Sequence, residues 1–418
     1  MGRRFLTPIS ALAVVIALLQ LASVSFVSST SLENFVAIAE ASGEGAQPQT
    51  ATPKTETAAD PAPKTPWGDP DLQGIWTDEY QTPLQRPAQY AGKEFFTDAE
   101  IAALDKKRAA ILRQDHRETR GSERDVSGAY NAVFVSVKPT GRRTSLVVDP
   151  PDGRIPPYTP EAKTRMDAYR EFQLALLQAT ETCKKQEPAC RGGKYAPPSP
   201  RRVEPPPIYN TDRLNRTDGP EDRSVLERCM GALLPDLSGF RGIVQSRGAV
   251  AIFYDVGQGQ GWQRVIPLTR TPHLPPHIRQ WWGDARGHWE GNTLVVDVTN
   301  FTPKQDYRGS RENLHLIERW TRLDANTLEY VVTVDDPTTW TRPWTVKQEM
   351  KRQNNQANRI YYEPRCHEGN YGLVGMLVNT RAEELAFAEG KGPDPATRDS
   401  ATGGPGGGEE NTDPLERS

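Results

Sequence analysis

Apolar and polar residues alternate along much of the chain between residues 240 and 364, as they do in strands with one buried face. The clearest case is residues 293–299, where Leu294, Val296 and Val298 lie on one face. Other strands of this kind are predicted at residues 240–246, 249–255, 262–268, 314–323, 327–336, 344–350 and 359–364. Strands at this spacing, with no helix between them, predict an antiparallel meander that forms a barrel or a sandwich.

Two helices are predicted upstream of this strand-rich region. Thr97 and Glu100 have the spacing of a capping box at the start of the first helix. Thr159 and Pro160 mark the start of the second helix, which we expect to run to about residue 182. Two short strands are also predicted, at residues 131–137 and 144–149. The predicted fold class is therefore mainly β, with two peripheral α-helices and long disordered segments.

The first 29 residues are typical of an export signal. Arg3 and Arg4 precede a largely apolar run, and small-residue cleavage patterns follow at residues 37–39 and 39–41. An uncleaved N-terminal membrane anchor is the alternative. Both interpretations predict an exported protein, located in the periplasm or outside the cell.

Stretches rich in Pro, Gly and polar residues divide the rest of the chain. After a signal peptide or anchor at residues 1–41, the predicted order is a disordered linker at 42–66, N-terminal strands with two helices at 67–187, a Pro-rich connector at 188–222, an antiparallel β domain at 223–388 and a disordered tail at 389–418. We expect the N-terminal strands and helices to pack on the β domain, because they have no self-sufficient helical core.

The charge balance narrows the range of partners. Lys and Arg total 51 against 54 Asp and Glu, for a net charge of −3. This balance gives no electrostatic basis for binding nucleic acid or an anionic membrane surface. No cofactor or metal is predicted. His273 and His277 are four residues apart, but the prolines around them exclude the helix that a zinc-binding pair at this spacing requires.

Four cysteines in an exported chain suggest two disulfides. Cys183 and Cys190 can close a small loop, and Cys229 would then pair with Cys366. Free buried thiols are the alternative. A nucleophilic pair of Cys366 and His367 is disfavoured, because sequence neighbours in a strand point to opposite faces.

Residues 281–301 combine tryptophans, a histidine and carboxylates directly before the best-defined strand. If residues 286–290 are extended, Arg286, His288 and Glu290 share one face and Trp289 lies on the other. His288 and Glu290 are therefore candidate catalytic residues that could act as acid–base partners or bind a cation.

A second candidate catalytic pair, His367 and Glu368, lies beside the predicted disulfide of Cys366. The candidate ligand-binding residues are aromatic or charged groups of the central stretch: Trp281, Trp282, Asp284 and Arg286. The alternative is structural: Asp284 and Arg286 form a salt bridge that holds a turn, and the tryptophans fill the core.

The chain contains several long motifs, among them PDLQGIWT, SLVVDPPDGRIPPYTPEA, WWGDARGHWEGNTLVVDVTNF and CHEGNYG. Over residues 67–385 these motifs resemble a family of uncharacterised exported bacterial proteins that is common in Acidobacteria and proteobacteria. The resemblance implies export and a shared fold, but no catalytic roles. The family's usual central motif has Asp where this chain has Asn292, which argues against a required carboxylate at that position.

Nine tryptophans allow more than one class of function. We favour a β domain that binds a small molecule or a glycan, with aromatic rings lining a groove or barrel mouth. The first alternative is a secreted hydrolase or lyase that uses His and Glu as acid–base groups. The second is a structural or partner-binding envelope protein whose tryptophans only fill the core. The sequence assigns no oligomeric state.

Overall fold

The sheet of this protein curls into a barrel. The computed structural model describes residues 63–112, 138–211, 214–231, 233–237, 239–257, 260–353 and 371–401. Within these ranges ten strands form one sheet, of which nine make a nearly closed antiparallel barrel. The prediction of a mainly β, antiparallel fold is confirmed, and of the two predicted architectures the barrel is the one observed.

The strands and helices are numbered in chain order. The strands are β1 Gly74–Thr77, β2 Val147–Asp149, β3 Phe240–Gln245, β4 Ala249–Gly257, β5 Gln260–Pro267, β6 Asp284–Glu290, β7 Thr293–Thr299, β8 His315–Arg322, β9 Thr327–Asp335 and β10 Trp344–Arg352. The helices are α1 Asp98–Leu112, α2 Pro160–Leu177, α3 Glu181–Lys184 and α4 Tyr371–Ala388. Among these helices none is long and apolar enough to cross a bilayer.

Two antiparallel meanders build the barrel, and β1 joins them. The strand order is β5-β4-β3-β1-β10-β9-β8-β7-β6, while β2 pairs with β10 beside this path. Each of the eight junctions in the row of nine strands is antiparallel, so the two end strands, β5 and β6, must run in the same direction. The observed junction is parallel: Leu268, just after β5, bridges Gly287 of β6, and Thr269 N donates to Gly287 O at 3.0 Å.

Gly287 makes this closure sterically possible. A Cβ atom at this position would lie 2.8 Å from Ile266 Cγ2 and 3.1 Å from Leu268 Cδ2, closer than normal packing permits. The absent side chain therefore lets β5 approach β6, which explains a glycine in the middle of a strand.

The predicted helix starts are confirmed. Thr97 N donates to Glu100 Oε2 at 2.8 Å, and Glu100 N donates to Thr97 Oγ1 at 3.3 Å, which completes the capping box of α1. Thr159 caps α2 by accepting from Ala162 N, and a proline occupies the first turn.

The end of α2 differs from the prediction, because the helix stops at Leu177 instead of continuing to about residue 182. Thr180 is extended and its hydroxyl accepts from Cys183 N, so it caps the separate short helix α3. Helix α4 is an additional element that the sequence did not predict. The predicted strands at residues 131–137 and 359–364 lie outside the described residues, and the strand predicted at 144–149 is reduced to β2.

One predicted disulfide is observed: Cys183 and Cys190 are bonded and fully buried, and they pack with Leu177. The bond ties α3 to the turn that follows it. Cys366 lies outside the described residues, so its pairing with Cys229 stays a prediction.

The segment before β1 packs tightly against the barrel. Leu72 is fully buried, and its backbone N–H donates to the side chain of Gln245 in β3. Trp76 of β1 is also fully buried and donates from its indole to Leu72 O at 2.9 Å. Arg322 of β8 donates to Asp71 O at 2.7 Å. Residues near the N-terminal edge of the described chain are thus part of the barrel.

The closure account predicts that Gly287→Ala destabilises the protein by about 1–3 kcal/mol, because the new methyl group overpacks the β5–β6 junction. Gly248→Ala is the matched control, since a Cβ there meets nothing within 4 Å. Urea unfolding of both variants measures the difference. Equal stability of the two variants would show that the junction is looser than described.

Candidate functional site

Glu290, its ion-pair partner Arg319 and the neighbouring His288 form an ion-pair cluster on the outer face of the barrel. His288 Nε2 lies 3.2 Å from Glu290 Oε1, and Arg319 of β8 donates to Glu290 Oε2 at 2.9 Å. The hydrogen bond from Arg319, followed by the one with His288, holds the pKa of Glu290 below its usual range. The side chains of His288 and Glu290 are 35% and 49% exposed, as expected for a solvated cluster. The other candidate pair, His367 and Glu368, lies outside the described residues.

Asp284 anchors the loop between β5 and β6. Its carboxylate is 4% exposed and accepts from Leu274 N at 2.9 Å. Arg286 Nη1 lies 2.7 Å from Asp284 Oδ1, and His273 Nδ1 lies 2.9 Å from Asp284 Oδ2. Asp284 and Arg286 thus form the salt bridge that was predicted as the structural alternative to ligand binding. Their role as ligand contacts stays a prediction.

A histidine–carboxylate network continues along the outer face. Asp297 Oδ1 lies 2.8 Å from His315 Nε2 and 3.5 Å from His273 Nε2. The network connects the loop after β5 with β7 and β8. In the part of the chain that the structure describes, no group of three or more His, Cys, Asp or Glu residues is placed to hold a metal ion.

Trp281 and Trp282 contact different groups. The Trp282 ring packs against the barrel core, 5.3 Å from the Tyr254 ring and 6.4 Å from the Trp262 ring. The Trp281 ring lies 6.3 Å from Tyr209 instead. The two candidate ligand-binding tryptophans therefore have different neighbours, with Trp282 packed on the core and Trp281 beside Tyr209. Their role as ligand contacts stays a prediction.

Trp289 points to the opposite side of β6 from His288 and Glu290, as strand alternation predicts. It is half-buried and packs against the hydrophobic core. Its indole nitrogen is buried and has no hydrogen-bond partner among the residues that the structure describes.

The barrel interior contains a charged pair that the sequence analysis did not identify. Arg264 of β5 bonds to Glu318 of β8 through Nη2 and Oε2. The Glu318 side chain is fully buried and that of Arg264 is 5% exposed. Because β6 and β7 lie between these strands in the barrel, the bond crosses the interior. Burial alone lowers the pKa of Arg264, but the Glu318 carboxylate together with the neighbouring Tyr254 and Tyr330 outweighs this effect, and the pKa lies above its usual range.

Two buried tyrosines surround the pair. Tyr330 donates to Glu318 Oε1 at 2.9 Å, so both carboxylate oxygens are engaged. Burial, followed by the nearby Glu318 charge, raises the pKa of Tyr330 well above its usual range. Burial also raises the pKa of Tyr254, whose ring lies between two guanidinium groups, 4.7 Å from Arg241 Cζ and 5.6 Å from Arg264 Cζ. Both hydroxyls therefore stay protonated and can donate at neutral pH.

Three polar atoms of this group have no hydrogen-bond partner within the described residues: Arg264 Nε, Arg264 Nη1 and Tyr254 Oη. Each is buried, and an unsatisfied buried donor costs about 1–3 kcal/mol. An acceptor placed among them would remove that cost, since Glu318 already fixes the guanidinium in position. We define Arg264, Tyr254, Glu318 and Tyr330 as the interior polar cluster.

The sequence did carry a signal for this cluster. Arg264 lies between Trp262 and Ile266, and Glu318 lies between Leu316 and Trp320, at core-facing positions of predicted strands. A charged residue at such a position is rare unless it is paired, so Arg264 and Glu318 each predict a partner inside the barrel.

Parts of this chain match solved structures, among them the following two. A secretary abundant heat soluble (SAHS) protein from Ramazzottius varieornatus matches at 13% identity and a TM-score of 0.20, over 27% of this chain and 70% of that one. A variant of the fluorescent protein UnaG matches at 14% identity and a TM-score of 0.18, over 28% and 71%. At these TM-scores the likeness carries no argument. No protein-family model matches the chain and no curated protein matches its sequence.

The two faces of β6 predict a contrast in stability. We expect Trp289→Ala to cost about 3 kcal/mol, because it truncates a large side chain that packs on the core. His288→Ala should cost less than about 1 kcal/mol, because its ring is partly solvated. Thermal and urea unfolding measure both. Equal losses would show that the outer ion-pair cluster is needed for stability.

Proposed function

We propose that this protein binds a small molecule or a glycan inside its β-barrel, with the polar part of the ligand at the interior polar cluster. The observation that carries the proposal is the set of three buried polar atoms of Arg264 and Tyr254 that have no hydrogen-bond partner within the described residues. Buried polar groups are normally satisfied, so these atoms suggest the place of a missing partner inside the barrel.

The surroundings suit a ligand that has an apolar or aromatic body. Tyr254 contacts the ring of Trp282, which in turn lies beside Trp262. Ligand sites of this kind combine aromatic walls with a few precisely placed polar groups. Arg264 is preorganised by Glu318 and Glu318 by Tyr330, so little side-chain ordering would accompany binding.

We also propose that this protein is exported and that it belongs to the family of exported bacterial proteins whose motifs it shares. The Cys183–Cys190 disulfide is of the kind that forms and persists in an oxidising compartment. A ligand-binding role in the periplasm or outside the cell is consistent with this chemistry.

The hydrolase or lyase alternative receives less support. His288 and Glu290 lie on the outer face and are engaged with each other and with Arg319. An acid–base pair for catalysis is expected in a site that shields it from water, which strengthens its electrostatic interactions. The envelope-protein alternative explains the buried tryptophans but gives no reason for unpartnered donors in the interior.

Tyr254→Phe tests the proposal against a matched variant, Tyr330→Phe. Nile red, an uncharged dye with a carbonyl acceptor, serves as the probe. Tyr254→Phe removes a hydroxyl that has no partner in the described part of the chain, so we expect unchanged or slightly higher stability and about 3–10-fold weaker Nile red binding. Tyr330→Phe removes a donor from the buried Glu318 carboxylate and should cost about 1–3 kcal/mol of stability.

Fluorescence titration and urea unfolding give the two measurements. The proposal fails if Nile red does not bind, or if its affinity is the same for Tyr254→Phe and the unmodified protein. A loss of stability in Tyr254→Phe as large as that in Tyr330→Phe would also contradict it, because the hydroxyl would then have a structural partner.

A further inference from the structure

We infer that the ligand of the interior polar cluster carries no net charge and presents hydrogen-bond acceptors, as an ester, a ketone, a lactone or an ether does. The inference rests on the proposed function and specifies the chemical class of its ligand. It follows from the charges and the donors that face the interior.

The buried arginines of the barrel already have anionic partners. Arg264 is paired with Glu318. Arg241 lies 3.4 Å from Asp236, and Arg322 of β8 lies 3.7 Å from Asp71. A carboxylate, sulfonate or phosphate that entered would therefore be an additional buried negative charge without a cation of its own. Such a charge is costly, and Glu318 would repel it directly.

The unpartnered polar atoms of the interior are mostly donors. Arg264 Nε and Nη1 can only donate, and the Tyr254 hydroxyl can donate because it stays protonated. Acceptors on the ligand can satisfy these three atoms, and an uncharged acceptor does so without disturbing the Arg264–Glu318 pair.

A carboxylic acid and its methyl ester have similar shapes but differ in charge, so comparing their binding tests the effect of charge. The probes are 1-naphthaleneacetic acid and methyl 1-naphthaleneacetate, which share an aromatic body and carbonyl acceptor, and each is titrated against bound Nile red. The acid ionises near pH 4, as carboxyl groups do. If only the neutral form binds, the apparent affinity of the acid falls about tenfold per pH unit between pH 6 and 8, while the affinity of the ester is constant.

The result that overturns the inference is an acid that binds as tightly as the ester with a flat pH profile, since the carboxylate itself would then bind to Arg264. That outcome leaves the proposed function intact. If neither probe displaces Nile red, and Tyr254→Phe does not weaken Nile red binding, the proposed function fails. The inference then fails with it.

The variant Glu318→Gln provides a second test of whether charge excludes the acid. The substitution leaves Arg264 without its anionic partner, so we expect the acid to bind more tightly and its pH dependence to flatten. A variant that folds and keeps the tenfold dependence contradicts the charge argument. If the variant does not fold, the pH profile of the unmodified protein decides the question alone.

Discussion

The bond between Arg264 and Glu318 is the interaction on which the interior of this barrel depends. It joins strands that are separated by β6 and β7, and it lies across the interior away from solvent. Removing one partner of a buried ion pair typically costs about 3–5 kcal/mol, whereas replacing both with apolar groups is often neutral or stabilising. Stability alone therefore does not explain why two charges occupy core positions. Their arrangement fixes a guanidinium in the interior, and two of its nitrogens have no hydrogen-bond partner within the described ranges.

The rest of the fold positions that pair. The odd number of strands requires a parallel junction between β5 and β6, and Gly287 allows the close approach that this junction needs. Strand β1 completes the row between β3 and β10, and the segment before it packs on the barrel through Leu72. On the outer face, Asp284 holds the loop between β5 and β6 against the sheet. The interior polar cluster and the aromatic group of Trp262 and Trp282 both depend on this closure.

Local structure could be predicted from the sequence, whereas the contacts within the interior polar cluster could not, for physical reasons. Period-two alternation identifies a strand and its two faces, so β7 and the opposite orientations of His288 and Trp289 could be predicted. The capping box at Thr97 is equally local. Alternation does not show which distant strands meet, so the β5–β6 junction and the pairing of Arg264 with Glu318 were beyond it. The polar residues predicted for a site instead lie close together in sequence, and those that the structure describes contact one another on the outer face.

The most direct test of a ligand held at Arg264 observes that side chain itself. In a ¹H–¹⁵N spectrum of the arginine side chains, with the Nε–H signals of Arg264 and Arg319 assigned by substitution, methyl 1-naphthaleneacetate is titrated into the protein. The account predicts that the Arg264 signal shifts with the same dissociation constant as the displacement of Nile red, while the signal of Arg319 on the outer face stays in place. An unchanged Arg264 signal at saturating ester, or a shift confined to Arg319, would contradict binding inside the barrel.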